Sequence, residues 1–406
     1  MTLLSRLLFS GPFHAGQADR ARGHVCARAA SGARDLLYVV PNGAAGRAVQ
    51  ADLVRRCGAV FGVRVVSLAA LPREIERRAR VPSPTALDPL ADELVVERAI
   101  REATGGAFEE TTPVGGLTAG LLRNVDLLER SGASHEQLRD ALARHGLSTE
   151  GARLLSGIWS QLAAARRQRA RRTAARSRAE SLAAAAALLR ARPALLTGCD
   201  TVVIENVSLA APLERQLIAA LVAAAPGAVV AAYEAPPQLP DCSAARSLRS
   251  LRDMASWSEI ACERTPSLFA RALDATFAEP DPDSEGAPAE LLPGARVTVL
   301  EAAGDVGEVR FAARVVRRHL QAGVVPGDVQ IIVHGGARYH ELVGEVFGFF
   351  GIPVALPHRQ SAAECGVGQA LLGLLELAIQ PDNRSRREAS LALARMPHLG
   401  FGPGQC

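Results

Sequence analysis

Short apolar runs that stop at turn residues, each followed by a stretch of helical length, recur along this chain, and that alternation restricts it to an α/β fold. Residues 35–40 (Asp-Leu-Leu-Tyr-Val-Val) run into Pro41-Asn42-Gly43. An apolar run of that length closed by turn residues is the pattern of a strand buried on both faces. Residues 63–68, 201–204 and 228–233 repeat it, with helices expected over 18–30, 44–56 and 213–225. Strands that alternate with helices pair in parallel, and the helices cover the sheet.

The alternation is interrupted once and then restarts. From Pro82 to Pro193 the pattern is helical, with Leu121, Leu122, Val125 and Leu128 on one face, so residues 82–193 are expected to form an all-helical insertion. Residues 236–292 are loose and polar, and the stretch 279–295 reads as a linker. A second α/β unit follows over 296–406, with strands expected at 296–301, 329–334 and 353–355. Gly323 and Gly351 should end its first two helices. The expected architecture is therefore a first α/β domain over 1–278 carrying the insertion, the linker, and a second parallel-sheet domain over 296–406.

Composition excludes several chemistries. At 406 residues the chain can build more than one core, and 48% hydrophobic with 4% aromatic residues says those cores are packed by Ala, Leu and Val. All 46 basic residues are Arg, so nothing here can act as a phosphate-loop or Schiff-base lysine; the net charge is only +4. The seven cysteines are scattered without a Cys-x-x-Cys pair, which points away from a disulfide scaffold or zinc ribbon and towards a reducing cytoplasm. No signal peptide or membrane span is expected, because the longest weakly apolar run, 217–232, is broken at Pro226-Gly227. The histidines form no ligand pattern, no metal site is expected, and no Gly-x-Ser-x-Gly elbow is present.

Residues 7–18 (Leu-Leu-Phe-Ser-Gly-Pro-Phe-His-Ala-Gly-Gln-Ala) keep the glycine spacing of a phosphate loop at Gly11 and Gly16. In the complete motif backbone N–H groups cradle the phosphates, a Lys bridges them and a hydroxyl holds Mg²⁺. Gln17 and Ala18 stand where those two side chains belong. The densest charge block is Arg166, Arg167, Arg169, Arg171 and Arg172, continued by Arg176 and Arg178, with no acid among them. On a helix such a block is either a flank that neutralises phosphates or a solvated face. Trp159 and Trp257 suit core positions better than base stacking.

This order of parts resembles the superfamily 1 helicase architecture, with two RecA-like domains, and more closely the AddB family found in bacterial ATP-dependent helicase–deoxyribonucleases. The segment 296–400 carries most of the likeness. It includes Val297-Thr298-Val299-Leu300-Glu301-Ala302, Asp305-Val306-Gly307-Glu308-Val309, Phe349-Phe350-Gly351-Ile352-Pro353-Val354 and Leu393-Ala394-Arg395-Met396-Pro397-His398-Leu399-Gly400. The resemblance implies a DNA-binding subunit for double-strand-break repair and recombination, engaging single-stranded DNA in the cytoplasm beside an active helicase–nuclease partner.

It also exposes what this chain lacks. The family's second nucleotide motif ends a strand in an acidic pair that organises Mg²⁺ and the attacking water. Here that strand reads Val202-Val203-Ile204-Glu205-Asn206, so Glu205 alone remains, and Gly11, Gly16, Gln17 and Glu205 would form a degenerate nucleotide site. The family's nuclease domain and its four-cysteine iron–sulfur cluster have no counterpart before Cys406, so the second domain is expected to be cut short. The expectation is a helicase-like subunit with no catalytic residue, no ATP or Mg²⁺ cofactor and no hydrolysis. Two alternatives stay open: an α/β enzyme binding another nucleotide or anion, and a truncated gene product without function.

Overall fold

The computed structural model describes residues 6–13, 15–82, 84, 89–104, 115–133, 135–144, 149–173, 175–235, 240–263, 301–333, 337–356, 366–379, 387 and 390. For some helical residues, Arg169 and Arg172 among them, it describes the backbone alone. The chain divides into two compact units, 1–295 and 296–406.

The first unit is built on a six-stranded, all-parallel sheet. Its strands are β1 (Arg6–Gly11), β2 (Leu36–Val40), β3 (Val63–Ser67), β4 (Thr201–Glu205), β5 (Ala228–Tyr233) and β6 (Ser258–Ala261), in the spatial order β3-β2-β4-β5-β1-β6. Alternate side chains divide between two cores, as the two-residue period of a strand requires. Phe9, Leu36, Tyr38, Val40, Val203, Val229 and Ala231 face helices α1 (Gln17–Ala30) and α2 (Gly43–Cys57), through Ala21, Val25, Val49 and Leu53. Leu8, Leu37, Val39, Val202, Ile204 and Val230 face the opposite layer. That layer contains α3 (Leu71–Arg78), α8 (Arg178–Ala191), α9 (Pro212–Ala224) and α10 (Ser243–Asp253).

β6 and α10 lie in the stretch expected to be loose. β6 is the edge strand beside β1; its four residues Ser-Glu-Ile-Ala are all exposed, so no apolar run announces it. It is held by register with β1 and by the Arg252 guanidinium, which donates to Glu259 at 2.7 Å.

Helices α4 (Pro89–Thr104), α5 (Gly115–Ser131), α6 (His135–Arg144) and α7 (Thr149–Thr173) enclose a separate core of Val96, Ile100, Val125, Leu138, Ile158, Trp159 and Leu162. The expected insertion is there, but it ends before α8. A capping box starts α8: the Ser177 side chain accepts from Glu180 N and the Glu180 carboxylate accepts from Ser177 N. α8 then turns its Leu182, Ala185 and Leu189 face onto the sheet. The Ser-x-x-Glu signature of that break was present in the sequence.

Ion pairs fasten the insertion to the sheet layer. Glu214, buried at the start of α9, accepts from Arg130 of α5 at 2.8 Å, from Arg178 of α8 at 3.3 Å and from Ala211 N at 3.2 Å. Glu76 of α3 accepts from Arg176 at 3.2 Å. Trp159 is 4% exposed in the insertion core, and Trp257 packs against the sheet layer with its indole N–H on the Leu251 carbonyl at 2.7 Å.

Cys26 of α1 and Cys57 of α2 form a disulfide, with Cα atoms 6.1 Å apart, a single pair that the scattered cysteines did not announce. They are 31 positions apart in sequence, so spacing carried no sign of the pair; the packing of α1 on α2 creates it.

In the second unit, α11 (Gly304–Gln321) packs on α12 (Ala337–Phe349) through Val309, Ala313, Val316, Val343, Val346 and Phe347, and α13 is Gly366–Ile379. Gly323 and Gly351 adopt positive φ as helix-ending glycines. The strand expected at 296–301 lies almost wholly outside the described residues, as does His334. Residues 329–333 and 353–355 form no strand, and Ile332 is 77% exposed. A parallel strand has no hydrogen-bonding partners of its own, so an apolar run alone does not make one. No helix among the described residues is long and apolar enough to cross a membrane.

Replacing Glu214 tests the fastening. Glu214→Ala should cost about 1–3 kcal/mol, because it takes an acceptor from Arg130, Arg178 and the Ala211 N–H while Arg130 keeps Asp126 at 2.8 Å. Glu214→Gln, which keeps an acceptor, should cost less. In urea, Trp159 emission measured in a Trp257→Phe background should move to lower denaturant than the far-UV signal of the sheet in Glu214→Ala, and remain coincident with it in the parent.

Candidate functional site

The topology sets where a ligand could sit. β1 is followed by α1 on one face of the sheet, whereas its neighbour β5 leads to α10 on the other. Diverging connections open a crevice at the carboxyl ends of such strands. Residues 11–13 and 15–17 lie at that edge, with Gly11 in register with Tyr233, and the rings of Phe13 and Tyr233 are 5.1 Å apart.

Both glycines of the frame have structural reasons that need no ligand. A Cβ on Gly11 would overlap the Cys262 carbonyl oxygen just past β6, and the Gly11 carbonyl accepts from Glu234 N at 2.7 Å. Gly16 caps α1 at φ 82°, the left-handed region that glycine enters without a Cβ penalty. Gln17, 1% exposed, turns its side-chain amide back into the loop and donates to the carbonyls of Gly11 and Pro12, the latter at 2.8 Å. A phosphate cradle presents N–H groups to its anion. Here two carbonyl oxygens point inward, and an amide group already satisfies them.

Glu205 is equally committed. In register it lies opposite Ala231, two residues before the Tyr233 level of the loop, on the face covered by α1. Arg22 of α1 donates to both of its oxygens, at 3.1 and 2.6 Å, and the Tyr38 hydroxyl donates to Oε2. Arg22 also donates to Asp52 at 3.1 Å, Arg56 to Asp52 at 2.8 Å, and Arg56 reaches Asp19. Burial and the adjacent Glu205 charge push the Tyr38 phenol far above its ordinary value. For Arg22, burial favours the neutral form, but the hydrogen bonds and charge of Glu205 outweigh it and hold the guanidinium more basic than usual. Glu205 therefore welds β4 to β2 and α1, and its oxygens are taken. These residues do not fit a magnesium nucleotide. Among the described residues no group of three or more His, Cys, Asp or Glu could hold a metal ion.

The arginine block separates by face. Arg166 points into the insertion, where it donates to Asp92 at 2.7 and 2.9 Å and to Glu129 at 2.7 and 2.8 Å. Arg167 and Arg171, one helical turn apart, are exposed, and no carboxylate among the described residues pairs with them. The side chains of Arg169 and Arg172 lie outside the described residues. Near the far edge of the sheet a cavity of about 530 Å³ is lined by Arg73, Arg166, Arg176 and Arg178, and by Glu76, Asp92, Asp126 and Glu129. Its four arginines are matched by four carboxylates.

No protein-family model matches the sequence, and no curated protein matches it.

Replacing Arg22 should expose how much depends on the weld. Arg22→Ala leaves the buried Glu205 carboxylate without its cation, while Asp52 keeps Arg56 at 2.8 Å, and should cost about 3–5 kcal/mol, whereas Tyr38→Phe removes one hydrogen bond and should cost about 1–2 kcal/mol. The pH dependence follows from neighbouring carboxylates. The Asp200 carboxyl is held below the usual range by its hydrogen bonds from Arg28. In Asp52 and Glu74 burial pushes the other way but is outweighed by arginine hydrogen bonds. Depressed folded-state values stabilise fully above the unfolded carboxylate range of about 4, and that contribution is lost as pH falls through the folded values. Burial and the Arg28 charge hold the His24 imidazole below its ordinary value, so protonating the unfolded chain already draws on stability below about pH 6.5. The urea midpoint should decline gently from about pH 7 to 5 and fall steeply below about pH 4.

Proposed function

We propose that this chain is a non-catalytic, helicase-like subunit that engages single-stranded DNA in double-strand-break repair and recombination, beside an active helicase–nuclease partner. The observation that carries the reading is the loop at the mouth of the parallel sheet. It stands where a phosphate loop stands, yet its interior is filled by the Gln17 amide, and Glu205 is bound to Arg22 and Tyr38. A chain with that frame can position nucleic acid without turning over nucleotide. The exposed pair Arg167 and Arg171 on α7 is the phosphate contact this reading favours, since Arg166 is held by Asp92 and Glu129.

Counterion release gives the test its scale. Each neutralised phosphate of a single strand steepens the plot of log affinity against log salt by about 0.7. Fluorescence anisotropy with a labelled single-stranded oligonucleotide should show binding that weakens with salt, and Arg167→Ala/Arg171→Ala should lower the slope by about 1.4. Binding indifferent to salt, or a slope unchanged in the double variant, would remove the nucleic-acid role. ATP turnover should be absent in the parent and in Gln17→Lys, because the new ammonium would meet the same two carbonyls while Glu205 stays occupied. Robust hydrolysis by that variant would overturn the reading of the loop.

A further inference from the structure

We infer that the Cys26–Cys57 pair is a thiol–disulfide exchange site, opened by a dithiol reductant and closed again by that partner's disulfide form, which reach it from the amino-terminal pole of the sheet. The bond joins the third turn of α1 to the last residue of α2, and its Cα separation of 6.1 Å lies within the ordinary span of a disulfide. Both cysteines are half-buried. They form part of the wall of an open depression of about 760 Å³. Small residues, among them Ala29, Gly32, Ala33 and Ala59, line most of the rest of it, beside Arg34, Arg56 and Phe61, the last 83% exposed. Exchange requires a thiolate to approach one sulfur while the other leaves, and it is governed by access. An open, small-residue hollow with an exposed aromatic ring supplies that access.

The surroundings also let the bond open without loss of the fold. Ala21, Val25, Val49 and Leu53 keep α1 and α2 on the sheet, and Arg22–Asp52 at 3.1 Å and Arg56–Asp52 at 2.8 Å still link them. Two other cysteines do not compete for exchange: Cys199 and Cys262 are 1% and 2% exposed, and burial pushes the Cys199 thiol up to about 11. In the reaction one thiolate of the reductant attacks a sulfur of the pair, forms a mixed disulfide and releases the other cysteine as a thiolate. The second reductant thiol then displaces the first cysteine. Two electrons and two protons pass to Cys26 and Cys57, and the reductant leaves as its own disulfide.

Opening the bond leaves the α1–α2 contact dependent on partly exposed ion pairs, which salt screens. Those helices carry Gln17, Arg22 and Asp52, so the pair braces the backbone that holds the loop and Glu205. The inference is independent of any role in nucleic-acid binding.

The test uses the full chain, equilibrated with dithiothreitol redox mixtures or with oxidised glutathione, then denatured and alkylated for intact-mass and peptide measurement. Oxidised protein should alkylate two thiols fewer than its seven cysteines, with the protected pair mapping to Cys26 and Cys57. The conversion should be reversible in a single two-electron step with the far-UV spectrum unchanged. The reduced form should melt about 10 °C lower and lose more Tm on adding salt than the oxidised form. Cys26→Ser/Cys57→Ser should match the reduced form and stop responding to reductant. Alkylation of all seven thiols after oxidation, a bond that opens only when guanidinium unfolds the chain, or equal melting of the two forms would overturn the inference. If the double variant does not fold, the alkylation series on the parent chain decides alone.

Discussion

A parallel sheet buried on both faces must be covered by helices on both faces, and most of the first unit follows from that requirement. Strands β2, β4 and β5 offer almost no surface to water, so every crossover has to deliver an apolar helix face to one side or the other. α1 and α2 cover one side; α3, α8, α9 and α10 cover the other. The direction of the crossovers then decides where neighbouring connections diverge, and the divergence between β1 and β5 places a crevice at the carboxyl edge. Site location is thus a consequence of covering the sheet, before any side chain there is considered.

Buried carboxylates are the second constraint, because each must find a cation when no lysine is available. Glu74, Asp92, Glu205 and Glu214 are all nearly inaccessible, and each meets one or more guanidinium groups. The planar fork suits this work: Arg22 divides between Glu205 and Asp52, and Arg78 between Glu74 and Asp35. A guanidinium that bridges two elements ties their positions together, which is how α5 is fastened to α9 and α7 to α4 and α5. Arginine richness here is as much a property of internal joints as of outer surface. Net charge therefore says little about nucleic-acid affinity.

Legibility in the sequence followed the strength of local patterning. β2, β3, β4 and β5 were readable within a residue because their apolar runs are bounded by turn chemistry. β6 was not, since an exposed edge strand of four residues carries no run and exists only through pairing with β1. The division between α7 and α8 was written at Ser177 and Glu180, but a long run of Ala, Leu and Arg on either side masked it. Arg166 could not be told from Arg167 by composition; one residue of helical rotation, about 100°, turns the first inward to Asp92 and leaves the second in solvent. The Cys26–Cys57 pair depends on how α1 crosses α2, which no local pattern encodes.

The loop after β1 shows why glycine spacing alone is a weak sign of phosphate chemistry. Gly11 is demanded by the close approach of Cys262, and Gly16 by the left-handed turn that starts α1. Both would be retained by a chain that never met a nucleotide. What distinguishes a phosphate cradle from a plain strand–helix turn is the direction of the peptide groups, with donors inward for an anion and acceptors inward for a donor side chain. In this loop the Gly11 and Pro12 carbonyls face the Gln17 amide, so the turn is complementary to its own side chain. An anion could enter only by expelling that amide and reversing the peptides, losing its hydrogen bonds to Gly11 and Pro12 at the outset. The same residue that stands in the lysine position is the one that closes the site, and the loop it closes remains well suited to holding the end of β1 against β5 and β6.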